Sequence, residues 1–298
     1  MIISPEVRAA LDTGRPVVAL ESTIIAHGLP RPRNAAVAAE LEGLVRAGGA
    51  VPATVAVIDG TPRVGLGKEE LDRVANDDGM RKLSVRDLAP AGALGASGAT
   101  TVSATAYLAA RAGIRVFATG GLGGVHRDWT ATQDESADLG LLGRTRIAVV
   151  CAGVKSILDV PATLQRLETL GVTVLGYGTD EFPGFYLRSS GQPVDWTVGG
   201  PREAAAVLRT QDGLGVSAAV VVANPVPEAE QLDPALHDRV LAEGLAAAER
   251  EEVTGQAVTP YLLAYLTEHT AGASLEANLA AVRGNVRVGA EIARCLAG

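Results

Sequence analysis

RIAVVCAGVKSILDVPATLQRLETLGVTVLG, residues 146–176, holds a strand, a turn, a helix and a second strand in one line. Arg146–Cys151 is a short apolar run of strand length, and Val172–Gly176 is another. Between them Pro161 stands at a first-turn position, Leu164, Leu167 and Leu170 share one side, and Gly171 stops the helix. Two strands joined through a helix lie parallel when they share a sheet. The same alternation extends both ways. Further strands are predicted at Pro16–Glu21, Thr54–Asp59, Ile114–Thr119 and Ala218–Ala223. Helices are predicted at Asn34–Arg46, with an Asn cap and a Gly48-Gly49 stop, and at Thr101–Arg111, ending at Gly113. From about Asp233 to Ala297 the pattern is mostly helical, suited to an outer layer or a subunit contact. The Pro/Gly-rich segment Tyr177–Pro201 reads as the longest irregular stretch. With no linker and no internal repeat, the expectation is one α/β domain over residues 1–298, with a largely parallel central sheet and a helical C-terminal layer.

Composition bounds the function. Hydrophobic residues make up 47% of the chain and aromatics only 3%, so the core is built from Ala, Val and Leu. A net charge of −8 argues against general nucleic-acid binding, because nothing neutralises a phosphate backbone, yet it permits one phosphorylated ligand in a local basic pocket. Cys151 and Cys295 form no disulfide framework. No signal peptide is read at the start and no run approaches the ~20 apolar residues of a membrane span, so a soluble cytoplasmic protein is expected. The basic residues are uneven: 26 Lys and Arg in all, of which only Lys68, Lys82 and Lys155 are lysines. Arg keeps its charge, whereas a lysine can lose its proton and become an amine nucleophile.

Ligands of open α/β sheets collect beyond the carboxyl ends of the strands. Glu21 falls there, beside Ser22 and Thr23, placed to give or take a proton. After Ile114–Thr119 come Gly120-Gly121-Leu122-Gly123-Gly124, whose backbone would approach an anion closely. The run lacks the dinucleotide fingerprint. A second small-residue stretch, Gly92–Gly98, reads as a similar loop or a tight turn. Asp134, Glu135 and Asp138 put three carboxylates in five residues, which suits either a Mg²⁺ or Mn²⁺ shell or a solvated loop. Lys155 follows the next strand, and Lys82 lies in Arg81–Asp87. An amine beside acids and a phosphate-friendly loop suggests Schiff-base chemistry on a phosphorylated sugar, without naming the bond broken.

Several strings in this order resemble the pseudouridine-5′-phosphate glycosidase family: Ala19–Pro30 (ALESTIIAHGLP), Lys82–Leu88, Ala118–His126 (ATGGLGGVH), Asp134–Leu139 (DESADL), Val150–Asp159 (VCAGVKSILD), Asn224–Pro227 and Gly255–Val288. Glu135 departs from the family's usual apolar residue. The resemblance implies an α/β/α fold, a homotrimer, a divalent metal (typically Mn²⁺) and reversible cleavage of pseudouridine 5′-phosphate to uracil and ribose 5-phosphate. It implies Lys155 as the Schiff-base lysine, Glu21 as general acid and Asp134 as metal ligand. Lys82, Val102, Ser136, Ala137 and Asp138 would contact substrate, and His126 and Asn278 would line the site. Two alternatives keep the same residues: a Schiff-base aldolase on another sugar phosphate, which would release no uracil, and a sugar-phosphate-binding protein without turnover.

Overall fold

The computed structural model describes residues 1–298, the side chain of Gln256 excepted. Strands β1 (Ile2–Ile3), β2 (Val17–Leu20), β3 (Val51–Ile58), β4 (Thr61–Val64), β5 (Arg81–Leu83), β6 (Gly98–Thr100) and β7 (Val116–Ala118) fill the first part of the chain. They are followed by β8 (Ala148–Cys151), β9 (Thr173–Tyr177), β10 (Glu181–Gly184), β11 (Leu187–Pro193), β12 (Trp196–Val198) and β13 (Val220–Ala223). One 11-stranded sheet runs in the order β1-β4-β3-β2-β7-β8-β13-β9-β12, with β6 on β3 and β5 on β6. Every neighbour from β3 through β2 to β12 is parallel, as the strand–helix alternation predicts. β4 and β6 run antiparallel to β3.

Alternation along the central strands builds a core on each face. Val17, Ala19, Phe117, Val149, Cys151, Val221 and Ala223 face one core, with residues of helices Val102–Ala112, Val160–Thr169 and Pro234–Arg250. Val18, Leu20, Val116, Ala118, Ala148, Val150, Val220 and Val222 face the other, with helices Arg33–Ala47, Pro201–Leu214 and Ala273–Ala297. Because both faces are covered, these strands read as continuous apolar runs. The last helix buries Ala281, Val282, Val286 and Ala290 and lies over β2, β7 and β8. It covers the middle of the sheet, so the expected C-terminal layer is present and belongs to the core.

Two local readings change and a third resolves. Asn34 is not the cap: it is buried as the second residue of the helix, after Pro32 and Arg33, and its Nδ2 donates to the carbonyls of Ile25 (3.0 Å) and Ala75 (2.8 Å). Tyr177–Pro201 is regular, because β10 and β11 pair as an antiparallel hairpin and β12 joins the sheet edge beside β9. Gly92–Gly98 holds the tight turn that is one of its two readings, at Leu94–Gly95, where Gly95 takes φ +66°. It ends a short helix, Leu88–Ala93, and Gly98 enters β6.

Candidate active site

β2 and β6 approach each other end to end along one edge of β3. Leu20 pairs with Thr54 and Ala99 with Ala56, so Glu21, Val55 and Thr100 fall on one level. The junction is locked by buried hydroxyls: Ser22 Oγ and Thr100 Oγ1 both donate to the Val55 carbonyl, at 2.6 and 2.7 Å, and Thr100 N donates to Ser22 Oγ. Glu21 leaves this junction with both carboxylate oxygens engaged. Thr23 Oγ1 donates to Oε2 and Thr119 Oγ1, at the end of β7, donates to Oε1, each at 2.6 Å. Two hydroxyls from different strand ends hold the carboxylate in one orientation. It is neither a helix cap nor part of an ion pair among the described residues.

Lys82 joins the same level through β5, since Leu83 pairs with Thr100 and Leu83 O accepts from Thr101 N. Helix Val102–Ala112 starts at the next residue, so its positive end and Lys82 lie together, a combination suited to a phosphate. Lys82 is exposed, yet protein is massed around it. That partial burial holds its ammonium below the usual lysine range, and the charge of Lys155 pushes the same way against Glu21 and Asp138. Lys82, Lys155, Glu21 and Asp138 therefore share one electrostatic neighbourhood. Lys155 follows β8, with its backbone N–H on the Leu122 carbonyl and its Nζ 3.5 Å from the Gly121 carbonyl. Cys151, four residues earlier, is completely buried, and burial pushes its thiol up to about 12. It is a core group.

The glycine run is packed against the protein's own atoms. A Cβ on Gly121 would come within 2.5 Å of the Phe185 ring, on Gly123 within 2.3 Å of Ser136 Oγ, and on Gly124 within 2.4 Å of Thr163 Oγ1. The glycines allow close approach, as expected, but what approaches is the hairpin tip, the acidic loop and a helix. Phe185 holds φ at +64°, a conformation that costs a non-glycine residue of order 1–3 kcal/mol and tends to occur at functional sites.

The three carboxylates of the acidic loop part company. Asp138 is buried and accepts from Ser103 N and Gly123 N, both at 2.9 Å, tying the glycine run to the amino end of helix Val102–Ala112. Glu135 is drawn to the Arg166 guanidinium at 2.9 Å, which gives its departure from the usual apolar residue a partner. Asp134 keeps a carboxylate free of guanidinium and backbone N–H donors among the described residues, with His126 Nε2 3.8 Å away. The His126 N–H donates to the Asp134 carbonyl, so the two are fixed together. Ser136 Oγ accepts from Asp138 N, Ala137 is exposed, and Val102 is buried at the helix start. Asn278 reaches in from the last helix. Its Oδ1 is buried without a partner among the described residues and lies 3.0 Å from where a Gly120 Cβ would stand. That leaves an acceptor beside the glycine run able to take a hydrogen bond from a bound molecule or a water.

Sequence reasoning passed over Thr119 and Phe185. Thr119 had a signal, a hydroxyl at a strand end beside the glycines. Phe185 had none, since its segment was read as irregular. A larger open groove lined by Asp180, Glu181, Arg188 and Gln231 lies at the hairpin base, apart from every residue singled out above.

The architecture is that of an α/β/α protein whose candidate site lies at the strands' carboxyl ends. Residues 6–295 match the family described as indigoidine synthase A like protein, and the chain belongs to that family. It is 71% identical over 293 residues to the pseudouridine-5′-phosphate glycosidase of Streptomyces griseus, covering 98% of this chain and 91% of that one. It is 60% identical to the enzyme of the same name from Frankia alni, covering 98% and 81%. The resemblance read from the sequence is thus borne out. Among solved structures, a prealnumycin C-glycosynthase in complex with ribulose 5-phosphate superposes with a TM-score of 0.93 at 38% identity, covering 99% of this chain and 96% of that one. Among the described residues, no helix is long and apolar enough to cross a membrane.

Proposed function

We propose that this chain cleaves the C–C glycosidic bond of pseudouridine 5′-phosphate reversibly, giving uracil and ribose 5-phosphate, with Lys155 as the nucleophile. The observation that carries the reading is the gathering of two amines and a hydroxyl-held carboxylate, Lys155, Lys82 and Glu21, in one electrostatic neighbourhood at the strand ends. Kinship with a glycosidase 71% identical supports the substrate, and the ribulose 5-phosphate of the related C-glycosynthase supports a pentose 5-phosphate pocket. Lys82 and the first turn at Val102 take the phosphate. His126 and Asn278 line the base side, and the run Ser136-Ala137-Asp138 lines the sugar. The reading takes residues 1–298 as one domain and the active species as a cytoplasmic homotrimer.

The leaving atom is a ring carbon, which is harder to expel than a nitrogen. The Lys155 amine bonds to C1′ as the C1′–O4′ bond opens, and Glu21 delivers a proton to the sugar oxygen. Glu21 then takes the proton released by the alkylated Lys155 nitrogen and passes it to uracil C5, and the C1′–C5 bond breaks while the lysine nitrogen's electron pair forms the C1′=N iminium. Water then releases ribose 5-phosphate and the free amine. A positioned acid contributes on the order of 10²–10⁴ in rate.

Divalent metal fits the donor set. Asp134 offers one uncommitted carboxylate, and among the described residues no three His, Cys, Asp or Glu side chains converge on a point. A hard cation such as Mn²⁺ accepts one protein carboxylate and keeps several waters. Asp134 would hold it, and its charge would stabilise anionic oxygen nearby. The test is chromatography of products from pseudouridine 5′-phosphate with and without Mn²⁺. Uracil and ribose 5-phosphate appearing with metal are expected. Release that persists after chelation removes the metal role, and absence of uracil under both conditions overturns the reading in favour of a binding protein.

A further inference from the structure

Next to the candidate nucleophile lies a hydrogen bond between two buried side chains, continued to an exposed carboxylate, that the proposed chemistry does not use. Ser156, the residue after Lys155, is 7% exposed, and its Oγ lies 2.7 Å from Nε2 of His237, itself 3% exposed. His237 Nδ1 lies 2.9 Å from Oδ1 of Asp238. A carboxylate accepts only, so Nδ1 carries the hydrogen and donates to Asp238. In the neutral ring Nε2 is then the acceptor and the Ser156 hydroxyl the donor. His237 stands in the first turn of helix Pro234–Arg250, which Asp233 caps by accepting from Leu236 N.

We infer that His237 is a positioning residue for Lys155, acting through Ser156. The inference rests on Lys155 being the nucleophile. The main chain at Lys155 is held on one side by the glycine run: Lys155 N donates to Leu122 O and Asp159 N to Val125 O. The Ser156 hydroxyl ties the following residue to a separate element, the helix carrying His237. Between these two anchors the Cα–Cβ direction of Lys155 is fixed. The same helix end also backs the amine indirectly. Tyr186 packs 6.2 Å from the His237 ring and edge-on at 4.5 Å against Phe185, whose ring braces Gly121. The Gly121 carbonyl is the group 3.5 Å from Lys155 Nζ. Both routes end on one side chain. A displacement of about 1 Å at a reacting group costs on the order of 10²-fold in rate, so anchoring of this kind acts on kcat.

The experiment compares kcat and KM for pseudouridine 5′-phosphate in the full chain and in five variants: His237→Ala, His237→Gln, Ser156→Ala, the Ser156→Ala/His237→Ala double variant, and Lys155→Ala. His237→Ala and Ser156→Ala should each lower kcat by about 10- to 100-fold with KM nearly unchanged. The double variant should lose no more than either single one, because both remove the same bond. His237→Gln, whose amide oxygen can replace Nε2 as acceptor, should recover most of kcat. If His237→Ala does not fold, Ser156→Ala and His237→Gln still carry the test. Undiminished kcat in Ser156→Ala, additive losses in the double variant, or a loss expressed in KM overturns the inference. Turnover by Lys155→Ala overturns the premise instead, and so separates the two failures.

Discussion

From β2 outward to β12 the sheet is parallel, its strands β2, β8 and β13 are buried at every residue, and only the edge strand β12 is mostly exposed. Beyond β3 the pairing turns mixed, the strands shorten, and β5 exposes two of its three residues. The candidate site straddles this divide. The parallel flank supplies Glu21 and Lys155, the groups proposed to make and break bonds. The mixed flank supplies Lys82 and the helix start at Val102, the groups suited to a phosphate handle. A flank packed on both faces holds a reacting atom to a fraction of an ångström, whereas a phosphate tolerates an exposed, adaptable lysine. The difference between the flanks is a division of labour, and it can be broken experimentally.

The largest effect is expected on the parallel flank. Lys155→Ala should abolish turnover while leaving the fold intact, and Lys155→Arg should fail as completely, because a guanidinium does not form the imine. Product chromatography with the purified variants checks both. Full activity in Lys155→Ala would remove the bond-making role from this flank and erase the contrast.

On the mixed flank the loss should be partial and expressed as affinity. A hydrogen bond to a charged group contributes roughly 1.5–3 kcal/mol, so Lys82→Ala should raise KM by about 10- to 100-fold with a smaller change in kcat. The pH dependence follows from the sign of the shift. The ammonium is held below its usual 10.5 by burial and by Lys155. The cation is complete at lower pH and is lost as pH rises through that depressed value. Wild-type KM should therefore climb with alkaline pH earlier than an ordinary lysine would allow, and Lys82→Ala should flatten that climb. A kcat-only defect in Lys82→Ala would move this residue to the bond-making group.

The same divide explains what was legible in the sequence. All six predicted strands exist, and five belong to the parallel flank: double burial writes them as apolar runs such as Ala148–Cys151. The sixth, read from Thr54, begins at Val51 and passes through Pro52, a residue with no N–H to donate to a ladder. β4, β5 and β6 went unread because three- or four-residue strands with arginine, lysine or glycine carry no period. The acidic loop was legible as a cluster and misleading as a set. Spacing shows where carboxylates fall along the chain, not that Arg166 claims Glu135 and two backbone N–H groups claim Asp138. The glycine run was legible as a place of close approach, while the occupant, Phe185, came from a segment with no signal. The hydrogen bond from Ser156 to His237 spans 81 residues and leaves no local trace.

The smallest effect tests whether the parallel flank is as closed as this contrast requires. Alkylation needs a thiolate that reagent can reach. Cys151 lies in β8 with its thiol fully buried and pushed up to about 12, so at neutral pH it is neither ionised nor accessible. Cys295, in the last turns of the C-terminal helix, is partly exposed. Native protein treated with iodoacetamide should take up a single label, located at Cys295 by peptide mass spectrometry, with turnover unchanged. A second label should enter only after denaturation. Labelling of Cys151 in the folded protein would mean that β8 opens four residues ahead of Lys155, and a flank that opens there would not hold an amine in register for attack on C1′.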